Sequence, residues 1–109
     1  MNDRYIIKCI ALKEIETQRA TDDNIIVGKE YWYNPEAQSF WTTGQQDLIK
    51  KFYPGKQFPR CYVPVTKIEN NAKIFKKLAT AKDNVNIIEN TGYFKCEIYK
   101  MITTLEKIY

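Results

Sequence analysis

The chain has 109 residues, 44% of them hydrophobic and 28% charged, with a net charge of +4. That composition describes one globular domain able to bury a core without disulfide or metal staples, and it excludes a mainly disordered chain. Histidine is absent and Ser39 is the only serine, which removes Ser–His and Cys–His nucleophile pairs, His-based zinc sites and the usual proton shuttle near neutral pH.

In chain order, residues 5–12 read as a first strand, and their nearly continuous apolar content places it at the centre of a sheet. Lys8 interrupts the run, which is too short for a membrane span. The N-terminus lacks the basic region and small-residue cleavage site of a signal peptide, so a cytosolic chain is expected. Residues 13–24 are polar and read as a loop. Residues 25–27 and 29–33 are strand-like on either side of Gly28, which predicts a bulge or sharp bend. Asn34-Pro35-Glu36 is a turn signal, and residues 39–43 read as the returning strand of a hairpin over 30–43.

The spacing of Leu48, Ile49 and Phe52 predicts a short helix over 45–52, stopped by Pro54-Gly55. Residues 62–68 read as a strand, with Pro64 pointing to an edge position. Asn70-Asn71 is placed to cap a helix over 72–81, with Ile74, Phe75, Leu78 and Ala79 as its apolar stripe and Asp83-Asn84 as its end. Residues 85–89 and 93–101 read as a second hairpin around Asn90-Thr91-Gly92, with Phe94, Cys96 and Ile98 on one side and Tyr93, Lys95, Glu97 and Tyr99 on the other. The tail, 102–109, fits strand or helix equally. The expected fold is α+β, mainly β: a small SH3-like barrel or curved antiparallel sheet with one or two short helices, in a single domain over 1–109.

Catalytic chemistry finds little support. Cys9, Cys61 and Cys96 are neither a disulfide framework nor a metal motif. Cys9 and Cys96 sit among Ile, Phe and Tyr and read as small core residues, while Cys61 reads as the more reactive thiol. The four glycines are isolated, so no phosphate-binding fingerprint exists. Glu14 with Glu16, and Asp22 with Asp23, are adjacent carboxylates in the polar loop, where solvated surface is the ordinary explanation. The expectation is a protein that is not an enzyme and uses no cofactor or metal.

Charge and aromatics carry the functional signal. Residues 1–45 hold five basic and seven acidic groups, residues 46–82 nine against two, and residues 83–109 three against four. The middle block contains Lys50, Lys51, Lys56, Arg60, Lys67, Lys73, Lys76, Lys77 and Lys82, interleaved with Phe52, Tyr53, Phe58 and Tyr62. Basic groups attract phosphates and aromatic faces stack on bases. Against this, Lys73, Lys76 and Lys77 fall on the polar face of the expected helix, where solubility explains them. The candidate binding residues are Lys50, Lys51, Tyr53, Lys56, Arg60 and Tyr62, with Trp32 and Trp41 as aromatic anchors. The aromatic segment 30–33 is also a candidate edge for a homodimer.

Lys8-Cys9-Ile10 followed by Gly28-Lys29-Glu30-Tyr31 resembles the opening of small phage-encoded proteins with an SH3-like barrel, over about the first 60 residues. The abundance of Lys, Ile and Asn suggests an AT-rich genome, such as that of a low-GC bacterium or its phage. The resemblance implies a phage or prophage accessory protein and carries over no functional residue. The leading expectation is therefore a cytoplasmic protein that binds and inhibits a host factor, as an anti-defence or anti-CRISPR inhibitor does. The alternative is a nucleotide or nucleic-acid binding module, including a sponge for a nucleotide signal. A membrane partner is not expected.

Overall fold

The computed structural model describes residues 3–17, 23–56 and 61–101. Among these residues six strands and two α-helices follow in the order β1 (Arg4–Ala11), β2 (Glu30–Tyr33), β3 (Phe40–Trp41), α1 (Gln46–Phe52), β4 (Tyr62–Val63), β5 (Val65–Thr66), α2 (Leu78–Glu89) and β6 (Phe94–Met101). The fold is α+β. Four strands form an antiparallel sheet in the order β5-β2-β1-β6, and β3 pairs with β4 in a separate two-stranded sheet. Among the described residues the strands close no barrel.

β1 is central, as its apolar run implies. Its alternation sends Ile7, Cys9 and Ala11 into the core, opposite Ile98, Cys96 and Phe94 of β6. Tyr31 and Tyr33 of β2 join them from the other side. An aromatic seam ties the layers together. Tyr31 meets Phe40 and Phe94 edge-on, with centroids 5.6 and 6.5 Å apart, and Phe52 of α1 lies 6.0 Å from Phe94. Such pairs add about 0.5–1.5 kcal/mol each beyond their buried area. Gly28, at φ 82°, lies within a turn that Lys29 N–H closes by donating to Ile26 O, and its own N–H donates to Ala11 O. The expected bend at Gly28 is thus a turn that feeds β2 onto β1.

Four expectations are corrected. Residues 30–43 are not a hairpin: Glu36 N–H donates to Asn34 Oδ1, the chain turns away, and both edges of β2 are taken, by β1 and β5. Glu30–Tyr33 is thus an inner strand of the described sheet, paired with β1 on one side and, at Trp32 and Tyr33, with β5 on the other. The open edge beyond β1 belongs to β6, where the Cys96 N–H is already bonded to Glu89 Oε2 at 3.0 Å. Residues 62–68 are not one strand, because Pro64 has no N–H to continue a ladder. The segment changes sheet there, β4 pairing with β3 and β5 forming an edge of the larger sheet. The expected helix over 72–81 and strand over 85–89 are replaced by the single helix α2, preceded by a 3-10 turn at Glu69–Asn71. Ala72 and Phe75 are buried in extended chain, and Phe75 bridges Tyr5 through N–H···O bonds of 2.8 and 2.9 Å. The helical core face is Ala81, Val85 and Ile88, a 4–3 spacing that outweighs the β-branched character of the segment. β6 therefore pairs with β1, not with residues 85–89.

The polar loop also hides a core residue. Ile15 is fully buried and bridges Ile25 with bonds of 3.1 and 2.9 Å. No helix among the described residues is long and apolar enough to cross a membrane. The tail 102–109 lies outside the described residues.

Candidate functional site

The sequence-predicted residues divide between three places. Lys50 and Lys51 are exposed in the last turn of α1, whose other face buries Leu48, Ile49 and Phe52. Lys56 is exposed just beyond the Pro54-Gly55 turn, and Arg60 lies outside the described residues. Tyr53 and Tyr62 are core residues, 9% and 5% exposed, with Tyr53 OH donating to Tyr62 O at 3.1 Å. Their rings are 5.8 Å apart, and the half-buried Trp41 lies 6.2 Å from Tyr62. These three rings pack the small sheet against α1 and offer no open stacking platform. Trp32 is elsewhere, on the outer face of the four-stranded sheet.

That outer face is built by the alternation of β1, β2 and β6. Residues on this face include Ile6, itself buried, and Lys8 on β1, Trp32 on β2, and Tyr99 and Met101 on β6. The register sets Lys8 beside Trp32 and Ile6 beside Tyr99. The Trp32 and Tyr99 rings approach to 6.2 Å. The Lys8 ammonium sits between them, 5.8 Å from the Trp32 centroid and 4.9 Å from that of Tyr99, and 3.4 Å from Glu30 Oε1. The proximity of Tyr99 is the main cause that holds this ammonium above the ordinary lysine value; desolvation opposes it and Glu30 adds to it. A shallow depression of about 540 Å³ lies here, bounded also by Glu69 and Lys100. Tyr99 and Met101 are each 41% exposed. Both helices pack on the opposite face, through Phe52 and Ile88.

A second concavity, of about 620 Å³, opens between the Pro54-Gly55 turn, residues 73–77 and α2. Its floor includes Tyr33, Phe52 and Phe75, and Lys56, Lys73, Lys76 and Lys77 stand around it, with Glu36 as the one acidic neighbour among the described residues. The ordinary explanation for three of these lysines, the polar face of a helix, is gone, because α2 begins only at Leu78.

The carboxylates singled out for acid–base work are at the surface. Glu14 and Glu16 are exposed, with Glu14 accepting from Asn24 Nδ2 at 3.3 Å. Asp23 pairs with Lys67, which holds its carboxyl below the usual aspartate value. Asp22 lies outside the described residues. No group of three or more Cys, Asp or Glu among the described residues is placed to hold a metal ion. Cys61 is half-buried, with Gln46 Nε2 3.9 Å from its sulfur.

Sequence reasoning missed Lys8 as a site residue, reading it as an interruption of the first strand and as part of the Lys8-Cys9-Ile10 resemblance. The signal was present in the period-2 alternation that turns Lys8, Trp32 and Tyr99 outward. Which strands bring them together depends on the pairing of β6 with β1. No protein-family model matches this chain, and no curated protein or solved structure matches it.

Proposed function

We propose that the chain is a non-catalytic accessory protein, of phage or prophage origin, that binds and inhibits a host protein in the bacterial cytosol. Docking is through the outer face of the four-stranded sheet, the face opposite the two helices. The observation that carries this reading is the Trp32–Lys8–Tyr99 cluster. Trp and Tyr, with their large area and few rotatable bonds, dominate binding energy at protein interfaces when they sit at the centre of a patch. Here they are held in place by each other and by Lys8, with Ile6 and Met101 as apolar neighbours. A pre-set cluster loses little side-chain freedom on docking. The likeness of residues 8–10 and 28–31 to small phage-encoded SH3-like proteins supports the origin.

The test is capture from a low-GC bacterial lysate with the wild-type chain and with a Trp32→Ala, Tyr99→Ala double variant. The expected result is a stoichiometric host protein whose activity falls on binding, and whose capture the double variant loses. A partner retained equally by both proteins contradicts the docking face, and an unaltered partner activity contradicts inhibition. A second reading, a module for a nucleotide or nucleic acid, including a sponge for a nucleotide signal, is supported by the lysine-rimmed concavity.

A further inference from the structure

We propose that the concavity between the Pro54-Gly55 turn, residues 73–77 and α2 is a binding site for a small phosphorylated ligand of about mononucleotide size. The inference rests on the second reading above and is independent of the sheet face. Four observations converge on it. The volume, about 620 Å³, falls within the range of roughly 300–1,000 Å³ typical of small-molecule sites. The charge is one-sided, with four lysines around the opening and, among the described residues, only Glu36 against them. Lys56, Lys76 and Lys77 have no ion-pair partner among the described residues. The walls are mixed, since Ile74, 50% exposed, and the half-buried Pro35 and Ile87 offer apolar surface beside the Thr80 hydroxyl, while the Asn84 amide is held by Tyr33 OH and Thr80 O.

The backbone explains why the lysines gather there. Lys73 N–H donates to Tyr33 O, and Phe75 bridges Tyr5, so residues 73–75 are fixed along the sheet. Lys73 then lies with its ammonium 5.7 Å from the Phe75 ring centroid. Lys76 and Lys77 follow on the same strip, and Lys77, still extended, is the N-cap of α2, with no side chain capping the helix and no acidic residue in its first turn. The turn containing Gly55, at φ 77°, brings Lys56 to the facing wall. Ammonium groups on two walls suit a phosphate chain entering between them. Lys50 and Lys51 do not line this space and take no part.

The experiment titrates a fluorescent ATP analogue, inorganic pyrophosphate and a single-stranded DNA oligonucleotide into the full chain, at about 50 and about 200 mM salt. The expected result is saturable binding of the ATP analogue that weakens with salt. A Lys73→Glu, Lys76→Glu, Lys77→Glu variant is expected to lose about tenfold or more in affinity while keeping its wild-type melting temperature. A Lys50→Glu, Lys51→Glu variant is expected to bind as wild type. Weaker competition by pyrophosphate supports a contribution from the rest of the nucleotide. Binding of none of the three probes overturns the proposal, as does nucleotide binding that survives charge reversal at residues 73–77. Oligonucleotide binding without mononucleotide binding also overturns it, while leaving a nucleic-acid module standing. Trp32→Ala with Tyr99→Ala is expected to leave nucleotide affinity unchanged, which separates failure here from failure of the docking face.

Discussion

At Lys8 a single charge is held by two aromatic faces and one carboxylate, and this defines how the outer sheet face would meet a partner. Lysine carries a flexible stem, but here its ammonium is localised between Trp32 and Tyr99. The rings in turn present their remaining surface outward. Replacing Trp32 by Ala is expected to cost about 2 kcal/mol or more of partner affinity, as hot-spot aromatics do. Because Trp32 is only half-buried, the same change should alter unfolding stability by less than about 1 kcal/mol. Calorimetric titration and chemical denaturation of one variant check both figures. The cysteines provide a second residue-scale test. Cys9 is fully buried, and contact with Cys96, whose sulfur lies 3.7 Å away, followed by desolvation, pushes its thiol well above the ordinary value of 9.0. The folded state therefore holds this proton more tightly than the unfolded state. The stability it contributes is complete below pH 9.0 and is lost as the pH rises beyond that. Iodoacetamide near neutral pH is expected to label Cys61 in the folded protein and Cys9 only after unfolding, as read by peptide mass spectrometry. Labelling of Cys9 at the rate of Cys61 contradicts the burial.

At the scale of elements, α2 and β6 hold the molecule together and were the hardest to read. α2 contributes Ala81 and Ile88 to the core, and Ile88 is 1% exposed. Ile88→Ala is expected to destabilise by about 2–5 kcal/mol, measured by denaturant unfolding, because it deletes buried methyl groups and leaves a cavity. Glu89, at the end of the same helix, accepts from the outward Cys96 N–H and so covers part of the β6 edge. Glu89→Ala is expected to speed hydrogen exchange at the Cys96 amide, with little change at amides bonded to β1. Local pattern fixed β1, α1, the alternation within β6 and the bend at Gly28. It failed where the partner of a strand decides the outcome. Residues 85–89 carry Val and two Ile and resemble a strand in isolation, yet Ala81, Val85 and Ile88 form one helical face once Phe75 is committed to Tyr5. Residues 30–33 and 39–43 resemble a hairpin, yet both edges of β2 are taken by β1 and β5.

At the scale of the whole molecule, two differently built surfaces stand apart. One is an aromatic patch around a held cation on the outer face of the larger sheet; the other is a lysine-rimmed concavity beside α2. The sequence showed the basic block and the aromatic excess but not their division. Tyr53 and Tyr62, interleaved with the basic block along the chain, turn inward and pack edge-on to each other, with Trp41 tilted against Tyr62. Lys73, Lys76 and Lys77, discounted as a solvated helix face, border the concavity because the helix starts later than expected. Residue types along the chain therefore showed which chemical groups are present, while their placement required long-range pairing that no local pattern encodes.

The most direct measurement uses Trp32 itself as the reporter. In a Trp41→Phe background Trp32 is the only tryptophan, so its fluorescence quenching by acrylamide reads the exposure of the outer sheet face. Docking of the captured host protein through this face predicts that Trp32 becomes shielded in the complex. Quenching that is unchanged when the stoichiometric complex has formed would place the partner on another surface and contradict the account.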